Sequence, residues 1–160
     1  MLRSKICLVT AACLVALSLT TGSARAADDE ESPYYEGFYQ NTVMFLTQAN
    51  LSIGILGDAS AKGVYEKEAA TKIAAVHAVF AQDTAKSLNK MAKADDIEEA
   101  DAESMKRMAK CCGLIQKQAD ALIALLAGDA TQGAEFQKNR EATAKLLDEI
   151  RKEMDEYFKK

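Results

Sequence analysis

The sequence predicts an all-α protein, an antiparallel up-down-up-down four-helix bundle, on three observations. Pro33 is the only proline, and none follows it as far as Lys160. Apolar residues recur three and four positions apart through four segments, and short breaks carrying Gly or Asp separate those segments. A proline inside a helix loses a backbone hydrogen bond and clashes with the preceding turn, so its absence over so long a run favours long helices. The 3-4 spacing places apolar side chains on one helical face. Short breaks leave successive helices antiparallel.

The first residues read as a secretory leader. Arg3 and Lys5 form a basic start, Ile6 to Leu19 an apolar run, and Ala24-Arg25-Ala26 a small-residue cleavage site. The apolar run is shorter than the ~20 residues of a membrane-spanning helix, so cleavage near Ala26 is expected to leave an exported, periplasmic or secreted chain with no membrane span. Residues 27–32 are an acidic lead-in, and 33–160 form the bundle domain. Losing Arg3, Lys5 and Arg25 with no acid moves the formal charge from −4 to −7. An acidic chain is poorly suited to nucleic acid, whose phosphates call for Lys and Arg.

Each helix has its own signals. Ser32-Pro33 reads as a cap followed by a proline at the first turn, where a missing N–H costs least. Tyr35, Tyr39, Thr42, Leu46, Ala49, Ile53 and Leu56 then share a face, and Gly57 reads as the stop. The second helix is expected to turn Ile73, Val76, His77, Phe80, Thr84, Leu88 and Met91 inward and to end near Ala94. Asp95-Asp96-Ile97-Glu98 reads as a capping box that opens the third helix. Its inward residues are Ile97, Met108, Cys111, Cys112, Ile115, Ala119, Leu122 and Leu126, and Gly128 stops it. Phe136, Thr143, Leu147, Ile150, Met154 and Tyr157 mark the fourth. Gln48-Ala49-Asn50 and Gly57-Asp58-Ala59-Ser60 resemble Gln118-Ala119-Asp120 and Gly128-Asp129-Ala130-Thr131, as two similar helical hairpins would.

Two sets of residues are candidates for a site. Cys7 and Cys13 leave with the leader, so Cys111 and Cys112 remain as neighbours, unlike the spaced framework of a disulfide-stapled fold. A bond between them is disfavoured, since adjacent Cα atoms lie about 3.8 Å apart and disulfides need about 4.4–6.8 Å. His77 lies 17 residues before Ala94 and Cys111 lies 17 after it, so antiparallel helices put both at one height. With Met108 they make a set of soft donors suited to Cu(I), for which Zn(II) would compete. The plainer reading is that all four fill the core. The second set is aromatic: Tyr34, Phe38 and Tyr39 begin the first helix and Phe158 ends the fourth, at one end of the bundle. They form either a partner-binding patch or a plug for the core.

No Glu-x-x-His step, Cys-x-x-Cys-His sequence, inward carboxylate pair or glycine-rich phosphate loop occurs, which argues against di-iron, covalent-haem, hydrolytic and nucleotide-dependent chemistry. The expectation is an exported non-catalytic bundle that binds a macromolecular partner or small ligand, with a homodimer among the partners. The alternative is a copper- or zinc-binding protein using His77, Cys111, Cys112 and Met108.

Overall fold

The computed structural model describes residues 33–95 and 97–157, with side chains from Glu36 onward. Residues 1–32, where the leader and the acidic lead-in are expected, lie outside the described residues with Asp96, Phe158 and the side chains of Tyr34 and Tyr35. Four helices follow in order: α1 (Pro33–Ala61), α2 (Lys67–Met91), α3 (Glu99–Leu126) and α4 (Gln132–Tyr157). Among the described residues there is no strand. α1 packs on α2, α3 and α4; α3 also packs on α2 and α4, while α2 and α4 do not touch. The chain therefore forms an up-down-up-down ring in which α1 and α3 meet across the diagonal.

The helix ends follow from local chemistry. α1 does not stop at Gly57 as the sequence predicts. It continues because Gly57 serves another purpose: a Cβ there would sit 2.6 Å from Phe136 Cζ, so the missing side chain lets the α4 ring press against the α1 backbone. The stop comes at Gly63, whose φ of +71° suits only glycine without strain. There the Val64 N–H donates to the Ala59 carbonyl at 2.9 Å and the Gly63 N–H to Ser60 at 3.0 Å. These are the two bonds of a Schellman ending. The same pair closes α3 at Gly128, the predicted stop: the Asp129 N–H reaches Ala124 at 3.1 Å and the Gly128 N–H reaches Leu125 at 3.0 Å.

The predicted capping box before α3 does not form. The helix starts at Glu99 with Glu98 as its N-cap, and the Glu98 side chain makes no capping bond. Glu99 and Asp101 in the first turn instead set negative charge against the positive end of the helix dipole. At the entrance to α4, the Asp129 carboxylate accepts from the Thr131 N–H at 3.1 Å and the Thr131 hydroxyl at 2.6 Å. These bonds favour its charged form and hold its pKa below the usual carboxylate value.

The core contains the expected faces of α1, α3 and α4. Tyr39, Leu46, Ala49, Ile53 and Leu56 are buried with Met108, Cys111, Cys112, Ile115, Ala119 and Leu122, and with Phe136, Leu147 and Ile150. Toward the bundle end Met154 is partly buried, while Tyr157 is exposed. α2 departs from expectation. Its buried residues are Ala70, Ala74, Ala78, Ala81 and Leu88, whereas Ile73, Val76, Phe80 and Met91 are exposed. Alanines four and three residues apart make a shallow seam, and α2 lies against α3 more extensively than any other pair of helices. A close backbone approach leaves no room for Ile or Phe, so those side chains turn to the outside.

One polar pair interrupts the core. Gln118 Nε2 donates to the Asn50 carbonyl at a long 3.4 Å, and the buried Gln118 Oε1 and Asn50 Oδ1 find no donor among the described residues. A buried acceptor without a partner costs about 1–3 kcal/mol. Gln118→Met, which keeps the volume, should therefore stabilise the fold by about 1 kcal/mol in urea unfolding. A loss of stability would show that the amide is satisfied. Gly57→Ala should cost about 1–3 kcal/mol through overpacking against Phe136. By contrast Gly113→Ala, where an added Cβ meets nothing within 4 Å, should gain up to about 1 kcal/mol from helix propensity. Equal unfolding midpoints for the two glycine variants would contradict this account of Gly57.

Candidate functional site

The first sequence-derived set is reached by different routes. Cys111, Cys112 and Met108 are fully buried on the inner face of α3, because the 3-4 spacing turns them to the core. Burial raises both thiol pKa values from the ordinary 9.0 to about 12. For Cys111 the neighbouring Cys112 adds to the rise. Both are free cysteines. They are thus neutral thiols, and a metal binding there would have to displace their protons. His77 is half-buried at the border of the α2 alanine seam, and its partial burial lowers its pKa. Among the described residues no three His, Cys, Asp or Glu side chains come together as a metal-holding group.

The second set gathers at one end of the bundle. Tyr39 is buried, and its hydroxyl donates to Asp101 Oδ1 of α3 at 3.0 Å. Phe38, half-buried, meets the Tyr39 ring edge-on at a centroid distance of 5.6 Å. Tyr39 is therefore part of the core rather than of an open patch, because its ring fills the bundle end while its hydroxyl reaches a carboxylate. Tyr34 and Phe158 carry no described side chain. Beside Tyr39 lies a cavity of about 100 Å³ whose wall includes Met108, Ile150, Met154 and Arg107. Arg107 forms ion pairs with Glu149 at 3.5 Å and with Glu153, so its charge is answered within α4.

A third feature was not anticipated from the sequence. Among the described residues, every exposed large apolar side chain except Tyr157 belongs to α1, α2 or the turn between them. Val76 is 69% exposed, Ile55 62% and Met44 55%, and Leu51, Phe45 and Phe80 are also open. The Phe45 and Phe80 rings meet at a centroid distance of 4.4 Å and join the two helices into one face. From Gly37 to Gly57 the sequence has no Asp, Glu, Lys or Arg, and neither does Ile73 to Gln82. The outer surfaces of α3 and α4 are different, carrying exposed Lys106, Lys110, Lys117, Asp120, Lys138, Glu141, Lys145 and Asp148. The uncharged runs were present in the sequence, but periodicity alone assigned the large residues of α2 to the core.

The thiols carry a pH prediction. Each ionises near its ordinary value of 9.0 in the unfolded chain and at about 12 in the folded one. The unfolded state therefore loses these protons first, so their contribution is complete below pH 9 and disappears as pH rises toward 12. Urea midpoints should fall more steeply across that window for the native chain than for a Cys111→Ala/Cys112→Ala variant. Equal slopes would mean that the thiols ionise as freely in the folded chain.

No protein-family model, no curated protein and no solved structure matches this chain at a significant level.

Proposed function

We propose that the protein is an exported, non-catalytic helical bundle that acts by binding a macromolecular partner or small ligand through the outer face of α1 and the adjoining flank of α2. The observation that carries this reading is the confinement, among the described residues, of the exposed large apolar side chains to those two helices and their turn, Tyr157 apart. A contiguous apolar patch exposed to water is a cost that a binding event removes. The face is also built on helices, so its side chains are held in place before contact. The leader pattern from Arg3 to Ala26 supports export. Among the described residues no helix is long and apolar enough to cross a membrane, so the face is assigned to a contact other than spanning a bilayer.

The reading is tested by placing the photo-crosslinker benzoylphenylalanine at Val76 or Met44 in the producing cells, with Lys145 on α4 as the control position. Irradiation should give covalent adducts of higher mass from Val76 and Met44 and none from Lys145. Absence of adducts at both face positions would sink the proposal.

A further inference from the structure

The geometry points to a second copy of this chain as the occupant of the α1–α2 face, docked about a two-fold axis that crosses the outer surface of α1 between Gln48 and Leu51. This inference rests on the reading that the face is a binding surface and names what covers it.

Charge is the first argument. In a two-fold contact the residues near the axis meet their own copies, so a charged side chain there would face its like. The formal charge is −4 for the whole sequence and −7 without the expected leader, and two copies repel unless they meet through an uncharged region. The α1–α2 face is such a region: no Asp, Glu, Lys or Arg lies between Gly37 and Gly57 or between Ile73 and Gln82. The Phe45–Phe80 ring contact sets these two runs at one level, so they form one belt rather than two separate strips. Of the titratable groups in these two runs, Tyr39 is buried in the core and His77 is half-buried, which favours its neutral form. A partner recognised by its charge would find nothing on this belt to complement it.

Shape and size are the second argument. Met44 and Ile55 are exposed on the outer surface of α1 on either side of Gln48 and Leu51. An antiparallel second copy brings each Met44 beside the other chain's Ile55, with the uncharged Gln48 beside Leu51 at the axis. Two adjacent helices present a width of about 20 Å, and the charge-free stretch of α1 that this axis maps onto itself, Thr42 to Gly57, rises about 23 Å. That footprint of about 450 Å² per partner falls at the small end of specific protein interfaces.

Sedimentation equilibrium on the leader-free chain at micromolar concentration should give twice the chain mass. Ile55→Glu and Val76→Glu alter exposed positions, so far-UV circular dichroism should be unchanged, while a carboxylate covered by an apolar contact without a partner weakens association by about 100-fold or more. The adduct formed from benzoylphenylalanine at Met44 should also have twice the chain mass. A folded variant that remains dimeric would overturn the assignment of the interface to this face. A monomeric native chain at ~100 μM, well above the Kd of ordinary stable dimers, would overturn the second copy. If Met44 and Val76 then still cross-link to a protein of different mass, the binding reading survives and only the self-association fails; no adduct of any kind removes both.

Discussion

The arrangement of this molecule depends on how closely α2 can approach α3. Ala70, Ala74, Ala78 and Ala81 line the contact, with Leu88 completing it toward the end of the helix. Each methyl contributes only about 0.8 kcal/mol on burial, so the hold comes from the length of the seam rather than from any one residue. The close approach has a geometric consequence. With the narrow side of α2 against α3, Ile73, Val76 and Phe80 have no inward place and occupy the flank facing α1 and the solvent. The apolar outer face thus follows from the packing of the inner one.

α1 is held in a different way. It meets α4 where Gly57 admits the Phe136 ring and where a Cβ at Gly54 would lie 2.8 Å from Arg140 Nε. Arg140 Nη1 then reaches Asp58 at 3.1 Å, and Arg151 Nη2 donates to the Thr47 hydroxyl at 2.6 Å. At the other end the Tyr39 hydroxyl ties α1 to Asp101 of α3. Exposed ion pairs contribute about 0–1 kcal/mol each, so these links set the rotation of α1 more than they stabilise it. That rotation sends Tyr39, Leu46 and Ile53 inward and leaves Met44, Leu51 and Ile55 outward. A helix with apolar residues on both sides is buried on one and, under the proposal, covered by a partner on the other.

The adjacent cysteines have a different standing. Cys111 and Cys112 are adjacent free thiols, and burial disfavours their ionised form. Full burial removes water from both sulfurs and raises their pKa to about 12. In that state they act as small apolar fillers between Met108 and Ile115 on the inner face of α3. The proposed function therefore shifts from the interior of the bundle to its surface. The aromatic end contributes to the core through Tyr39, whose ring is buried while its hydroxyl is paired.

The sequence by itself determined the helical class, the four segments, the ending at Gly128 and the inner faces of α1, α3 and α4. On α3 and α4 most of the large apolar residues are also the buried ones, and on α1 the stripe through Tyr39, Leu46, Ile53 and Leu56 is buried even though Met44, Leu51 and Ile55 lie outside it, so a 3.6-residue period finds the inner faces. Only the tertiary structure decided the orientation of α2 and the purpose of Gly57. Both depend on how near two backbones come, a distance between segments far apart in the chain that no local period records. The alanine series from Ala70 to Ala81 was legible as a second stripe on α2, but choosing it over Ile73, Val76 and Phe80 required knowing that α3 lies close. The uncharged runs were equally legible in the sequence. What made them one face was the packing of α1 beside α2, because side-chain size at the α2–α3 seam decides which apolar residues remain outside.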